Sequence, residues 1–161
     1  MAIQVGDKIP SATLFHMTGD GPAEITSDEI FSGKKVVLFA VPGAFTPTCS
    51  AQHVPSYLKN AAALRDKGVD TIACLAVNDV FVMGAWGKDQ GSEGQILMLA
   101  DGSGDFTKAA GLELDLTARG LGVRSQRYAM VVEDGVVKTL HVEENPGELA
   151  NSGAETILAE L

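Results

Sequence analysis

Two short apolar runs, Val36 to Val41 (VVLFAV) and Ile72 to Val77 (IACLAV), constrain the fold of this chain more than any other feature. Each is too short for a helix of ordinary length and rich in β-branched residues. Neither shows the polar alternation of a half-exposed strand, so both read as strands buried on two faces. Between them, Val54, Tyr57, Leu58, Ala61 and Ala62 recur at helical spacing, and Gly68 follows Lys67 as a helix-terminating glycine should. Strand, helix, strand with buried strands implies a parallel pair joined by a crossover helix.

The later segments extend this unit. A second helix is expected from about Asp79 to Lys88, a third strand at Gln95 to Ala100, and a short helix over Asp105 to Ala110. Asp134-Gly135 lies between two apolar runs in RYAMVVEDGVVKTLHV, and this pair suits a two-residue turn with positive φ, so the segment reads as a hairpin. Ile157, Leu158 and Leu161 share one face of a closing helix that Asn151 or Ser152 would cap. The expected architecture is α/β, a thioredoxin-like fold whose mixed central sheet is flanked by helices on both faces, with residues 1–161 forming one domain.

The charge balance narrows the function. Twelve Lys and Arg oppose 21 Asp and Glu, a net charge of −9, which repels phosphate backbones and anionic lipid, so neither nucleic acid nor a membrane is an expected partner. The N-terminal MAIQVGDKIPSATLFH lacks a basic stretch followed by an apolar block, and a cytoplasmic location is the expectation. The two cysteines, Cys49 and Cys74, form no CxxC pair, and His16, His53 and His141 show no metal spacing to either.

Cys49 stands just past the first strand, where open α/β sheets gather their reactive groups. In VPGAFTPTCSAQHVP, Thr46 reads as the helix N-cap and Pro47 as the first helical residue, which puts Cys49 in the first turn at the positive end of the dipole. Pro55 should kink this helix near Ala51. A free thiol is only a few per cent thiolate at neutral pH, and a helix N-terminus or a nearby cation raises that fraction, so an exposed, reactive Cys49 is expected. Cys74 lies within its strand, about 10 Å before the end by strand rise, and reads as a packing residue that would reach Cys49 only after local unfolding.

PGAFTPTC, Pro42 to Cys49, resembles the PxxxTxxC motif of peroxiredoxins. Together with GVDTIACLAVNDVFVMGAWGKDQ and GVRSQRYAMVVEDG, it makes nearly the whole chain similar to the type II, peroxiredoxin-5-like subfamily. The resemblance implies a thiol peroxidase acting on hydrogen peroxide and alkyl hydroperoxides without metal, flavin or haem. It implies that Cys49 attacks the O–O bond, Thr46 orients the peroxide, Pro42 shields the thiolate and Arg127 supplies the cation. Arg124 is the competing arginine, an anchor or a surface group. His53, one turn after Cys49, invites a Cys–His dyad, although a peroxidatic thiol already has an arginine and a helix end. Trp86 and Phe45 read as core aromatics, with a site or dimer surface as the alternative.

The chain departs from the subfamily in one respect. Some type II enzymes carry a resolving cysteine in the segment matching GELANSGAETILAEL, and here no cysteine follows Cys74. The sulfenic acid would then be reduced by an outside thiol, glutathione with glutaredoxin ahead of thioredoxin. A homodimer formed through the face of the active-site loops is also implied. The alternative function on the same residues is a peroxide sensor that signals through a partner protein.

Overall fold

The computed structural model describes residues 1–161. Its main sheet contains seven strands in the order β2-β1-β5-β4-β3-β8-β9. They are β1 (Thr13–Thr18), β2 (Gly21–Thr26), β3 (Lys35–Ala40), β4 (Thr71–Ala76), β5 (Leu97–Ala100), β8 (Tyr128–Glu133) and β9 (Val136–Val142). The helices are α1 (Ser27–Phe31), α2 (Val54–Asp66), α3 (Val80–Asp89), α4 (Asp105–Ala110) and α5 (Ala154–Ala159). A separate ribbon pairs β6 (Glu113–Leu116) with β7 (Gly122–Ser125). β3, β4 and β5 run parallel, while β1 and β8 join antiparallel on either side, so the sheet is mixed and the fold is thioredoxin-like, as expected.

The buried runs divide by strict alternation. Val37, Phe39 and Val41 of the first run pack with Ile72, Cys74 and Ala76 of the second beneath α2, α3 and α5. Val36, Leu38 and Ala40 pack with Ala73 and Leu75 on the opposite face, against Ile30 and Phe31 of α1 and Phe106 and Ala110 of α4. Period-two side-chain direction produces two cores from one apolar run, and each large side chain contributes about 1.5–3 kcal/mol on burial. Asp134 and Gly135 turn the β8–β9 hairpin with φ of 46° and 77°, as their pairing in sequence foretold.

Two local expectations need correction, and one hairpin was not anticipated. The kink at Pro55 is instead a π-helical segment, Cys49–His53, in which the Val54 N–H donates to the Cys49 carbonyl. Pro55 has no N–H for the Ala51 carbonyl and its ring crowds that group; widening the turn by one residue relieves both effects. Neither Asn151 nor Ser152 caps α5: Gly153 holds that position, and Ser56 Oγ accepts from the Ala154 N–H. The β1–β2 hairpin has no clear signal in sequence, because β1 buries only Leu14 while its apolar Phe15 and Met17 fall on the exposed face.

Candidate active site

The loop from Pro42 to Thr48 joins β3 to the π-helical turn and rises from the carboxyl end of the sheet. Gly43 is closely approached: a Cβ there would lie 2.8 Å from Arg124 Nη1 and 3.1 Å from Thr46 Cγ2, so both side chains would have to shift. The Ala44 N–H donates to Asn78 Oδ1 at 2.9 Å, which ties the loop to the end of β4. Phe45 takes a left-handed φ of 62°, uncommon for an aromatic residue, and leaves its ring 54% exposed. It is therefore a surface aromatic, whereas Trp86 is fully buried and its Nε1–H donates to Ser50 Oγ beside Cys49 at 3.0 Å.

Thr46 immediately precedes the helical turns, and its carbonyl accepts the Ser50 N–H at 3.0 Å. Its hydroxyl does not cap them; it donates to the Gly43 carbonyl at 2.6 Å, which leaves the oxygen lone pairs free to accept. Pro42 is half-buried, and Arg124 Nη1 donates to its carbonyl at 3.3 Å. Arg124 thus holds the loop, and its hydrogen bonds run to the Pro42 and Leu121 carbonyls rather than to Arg127 or sulfur.

Cys49 is 0% exposed, which corrects the expectation of an exposed thiol. The π-turn faces it into the core cluster beneath α2 rather than toward solvent. Arg127, at the foot of β8 and 2% exposed, reaches it: Nη2 donates to Cys49 Sγ at 3.0 Å. Its other two bonds run from Nε to the Pro146 carbonyl at 2.9 Å and from Nη1 to His53 Nδ1 at 2.8 Å. No carboxylate pairs with this guanidinium; the ion pairs of the molecule are Lys35 with Glu133 and His141 with Glu160. A buried cation with neutral partners on two sides directs its third bond at sulfur, and such a donor stabilises negative charge that develops there.

His53 enters the site in a different role from a Cys–His dyad. A guanidinium only donates, so Nδ1 must accept and the ring is neutral with its proton on Nε2, which donates to the Ser152 carbonyl at 3.0 Å. Burial, then the charge of Arg127, lowers its pKa to about 3. Phe39 and Tyr57 flank the ring at centroid distances of 4.8 and 5.7 Å, and the Tyr57 hydroxyl shares the Ser152 carbonyl at 2.9 Å. Cys74 belongs to the same cluster as Cys49, and burial, then the neighbouring Cys49, pushes its thiol well above the usual value. Both cysteines are free.

Sequence reasoning brought Pro42, Thr46, Cys49 and Arg127 to one place. It missed Pro146 and Ser152, which meet the site through main-chain carbonyls that leave no residue-type signature, and Glu143, whose carboxylate binds main-chain amides of a segment with no pattern of its own.

A family model described as Redoxin matches residues 4–158. The chain is 52% identical over 165 residues to Peroxiredoxin-2E, chloroplastic, of Arabidopsis thaliana, covering 99% of this chain and 70% of that protein. It is 50% identical over 164 residues to Peroxiredoxin-2E-2, chloroplastic, of Oryza sativa subsp. japonica, covering 99% and 72%. The crystal structure of reduced Prx3 in complex with H2O2 from Vibrio vulnificus superposes with a TM-score of 0.93 at 56% identity, covering 98% of each chain. The expected cytoplasmic location is overturned by the two chloroplastic relatives. Charge and an unremarkable N-terminal stretch carry no compartment information when such similar chains work in a plastid.

Proposed function

We propose, on the premise that this chain belongs to the redoxin family as a type II peroxiredoxin and is a thiol-dependent peroxidase, that Cys49 is the attacking sulfur and that Arg127, Thr46 and Pro42 prepare the attack. One observation carries the assignment: the 3.0 Å bond from Arg127 Nη2 to Cys49 Sγ in a buried site that offers the guanidinium no carboxylate.

The Cys49 thiolate attacks one peroxide oxygen in line with the O–O bond. An S–O bond forms, the O–O bond breaks and sulfur gives up two electrons; the departing oxygen takes the pair, gains a proton and leaves as water or an alcohol. Fixed donors of Arg127 stabilise charge as it moves from sulfur to the departing oxygen, without reorganisation in a site that excludes water. Thr46 directs its own proton at Gly43, so its lone pairs accept the proton of the bound peroxide and turn the far oxygen toward sulfur. Pro42 screens one side and presents no competing N–H.

Turnover uses an external thiol. The other cysteine, Cys74, neighbours Cys49 in the core but is buried within β4 and kept protonated by that burial, so it offers the Cys49 sulfenic acid no thiolate ready to attack. Glutathione is small enough to reach a 0% exposed sulfur after a modest opening of the loop; it forms a mixed disulfide and releases water, and glutaredoxin then removes the glutathionyl group. Thioredoxin, which must present a whole protein surface, comes second. Hydrogen peroxide and small alkyl hydroperoxides are the substrates, residues 1–161 act as one domain, and two copies pair through the exposed Phe45, Phe81, Leu121 and Val123 around the loop.

Stoichiometric peroxide, followed by stopped flow and by mass spectrometry of Cys49, tests this reading. Oxidation far faster than that of a free thiol, then turnover with glutathione and glutaredoxin, is expected. Oxidation at a free-thiol rate would sink the assignment, and fast oxidation without turnover by any thiol donor would favour a sensor.

A further inference from the structure

The segment from Glu143 to Gly153, between β9 and α5, touches the site through its carbonyl groups. Pro146 O accepts from Arg127 Nε at 2.9 Å, Gly147 O accepts from Thr48 Oγ1 at 2.8 Å, and Ser152 O accepts from His53 Nε2 and Tyr57 OH at 3.0 and 2.9 Å. An irregular segment has no ladder of its own to fix where its carbonyls point, so another group must hold it.

Glu143 is that group. It is 5% exposed, yet its carboxylate pairs with no cation. It accepts instead from the Ala150 N–H at 3.0 and 3.1 Å to its two oxygens, from the Asn151 N–H at 2.9 Å, and from the Ser152 N–H and Oγ at 2.8 and 2.6 Å. Its main-chain N–H donates to the Arg127 carbonyl at 2.9 Å. Burial opposes the charge on this carboxyl; the bonds from Ser152 and from the Asn151 and Ala150 amides outweigh it and hold the group below its ordinary value. A charged acceptor with this many donors is worth more than the same number of neutral bonds, so the segment is pinned at this point.

We infer that Glu143 is a positioning residue for peroxide reduction: by pinning residues 150–152 it aims the Ser152 carbonyl at His53, which presents Nδ1 to Arg127 Nη1 and so fixes the angle from which Nη2 meets Cys49 Sγ. The series runs Glu143, Ser152, His53, Arg127, Cys49, and each neighbouring pair is in hydrogen-bond contact. Its logic is geometric. If Ser152 O drifts, Nε2 loses its acceptor, the ring is free to turn, and the guanidinium loses the neutral partner that fixes one side of its fork. Glu143 touches neither sulfur nor peroxide. The inference rests on the reading of Cys49 and Arg127 as the reacting pair.

The test compares the full chain and Glu143→Gln in stoichiometric oxidation by hydrogen peroxide across pH 4.5 to 9. Glutamine matches the size of glutamate but puts an NH2 among donors. A displaced Arg127 aims its donor away from the charge that moves from sulfur to the departing oxygen, so E143Q should slow oxidation at pH 7 by about tenfold to a hundredfold. The slowing should persist across the whole range of pH in which both proteins stay folded. The measurement is made below the midpoint of thermal unfolding of each protein. A lower unfolding temperature with the rate and pH profile unchanged would show that Glu143 serves only the fold and would overturn the inference. If E143Q does not fold, Ser152→Ala, which removes one donor to Glu143 but keeps the carbonyl, decides: a slower rate across that range supports the series, and an unchanged rate overturns it. Free-thiol rates in the unmodified chain would instead sink the Cys49 reading itself, so the two failures are separate.

Discussion

Arg127 Nη2 donates to Cys49 Sγ at 3.0 Å across 78 positions of sequence, and both residues are buried. In that setting the bond is charge-assisted and unscreened, and bonds to charged groups are worth about 1.5–3 kcal/mol. Arg127→Gln should therefore slow peroxide attack by roughly tenfold to a hundredfold, measured by stopped flow at pH 7. Arg124→Gln, which loses only the 3.3 Å bond to the Pro42 carbonyl and the one to Leu121, should slow it less. The reverse order would exchange the roles of the two arginines.

The two cysteines should respond unequally. Cys49→Ser should abolish peroxidase activity, since a hydroxyl with no thiolate character does not attack the O–O bond. Cys74→Ala should retain most activity and lose about 1 kcal/mol of stability, because its thiol is buried within β4 and kept protonated by that burial. Peroxide assays with glutathione and glutaredoxin, alongside urea melts, check both; equal losses of activity would give Cys74 a redox role.

His53 predicts an acid-labile fold. Its pKa is about 3 when folded and 6.5 when unfolded, so between those values the unfolded chain binds one more proton and stability rises with pH. Its contribution is fully present above pH 6.5 and falls by about 1.4 kcal/mol for each unit below, down to about pH 3. Glu143, also held below its ordinary value of 4.5, acts with the same sign but only below pH 4.5. Urea unfolding between pH 6.5 and 4.5 should show the slope, and His53→Gln should flatten it.

Phe45, Phe81, Leu121 and Val123 are large apolar residues that remain exposed. If they seat a second copy, Phe81→Glu should shift the sedimentation of the protein toward the monomer without lowering its unfolding temperature by more than a few degrees. Unchanged association would place the dimer surface elsewhere.

Part of this molecule was legible in its residues. The runs at Val36 and Ile72, the helical spacing from Val54 to Ala62, the helix at Asp105 and the Asp134-Gly135 turn follow local rules that need no knowledge of neighbours, and they appear where expected. The β6–β7 ribbon and the β1–β2 hairpin were not legible: their burial alternates over only four to six residues, and in β1 the apolar Phe15 and Met17 sit on the exposed face. Pro55 signalled a disturbance but not its form, since a kink and a π-turn both answer a missing N–H.

The sequence by itself determined the chemistry on offer: a cysteine in a first helical turn behind Thr46 and Pro47, with arginines waiting at 124 and 127. Tertiary structure decided which arginine meets the sulfur, that the sulfur is enclosed, that His53 serves the arginine as a neutral acceptor, and that Glu143 pins the segment behind them. The reason is physical. Spacing along a chain reports which side chains share a face, whereas the partners of a buried charge are set by elements many residues apart. Here several of those partners are main-chain groups, the Pro146 carbonyl for Arg127 and the amides of Ala150, Asn151 and Ser152 for Glu143, which carry no mark of residue type.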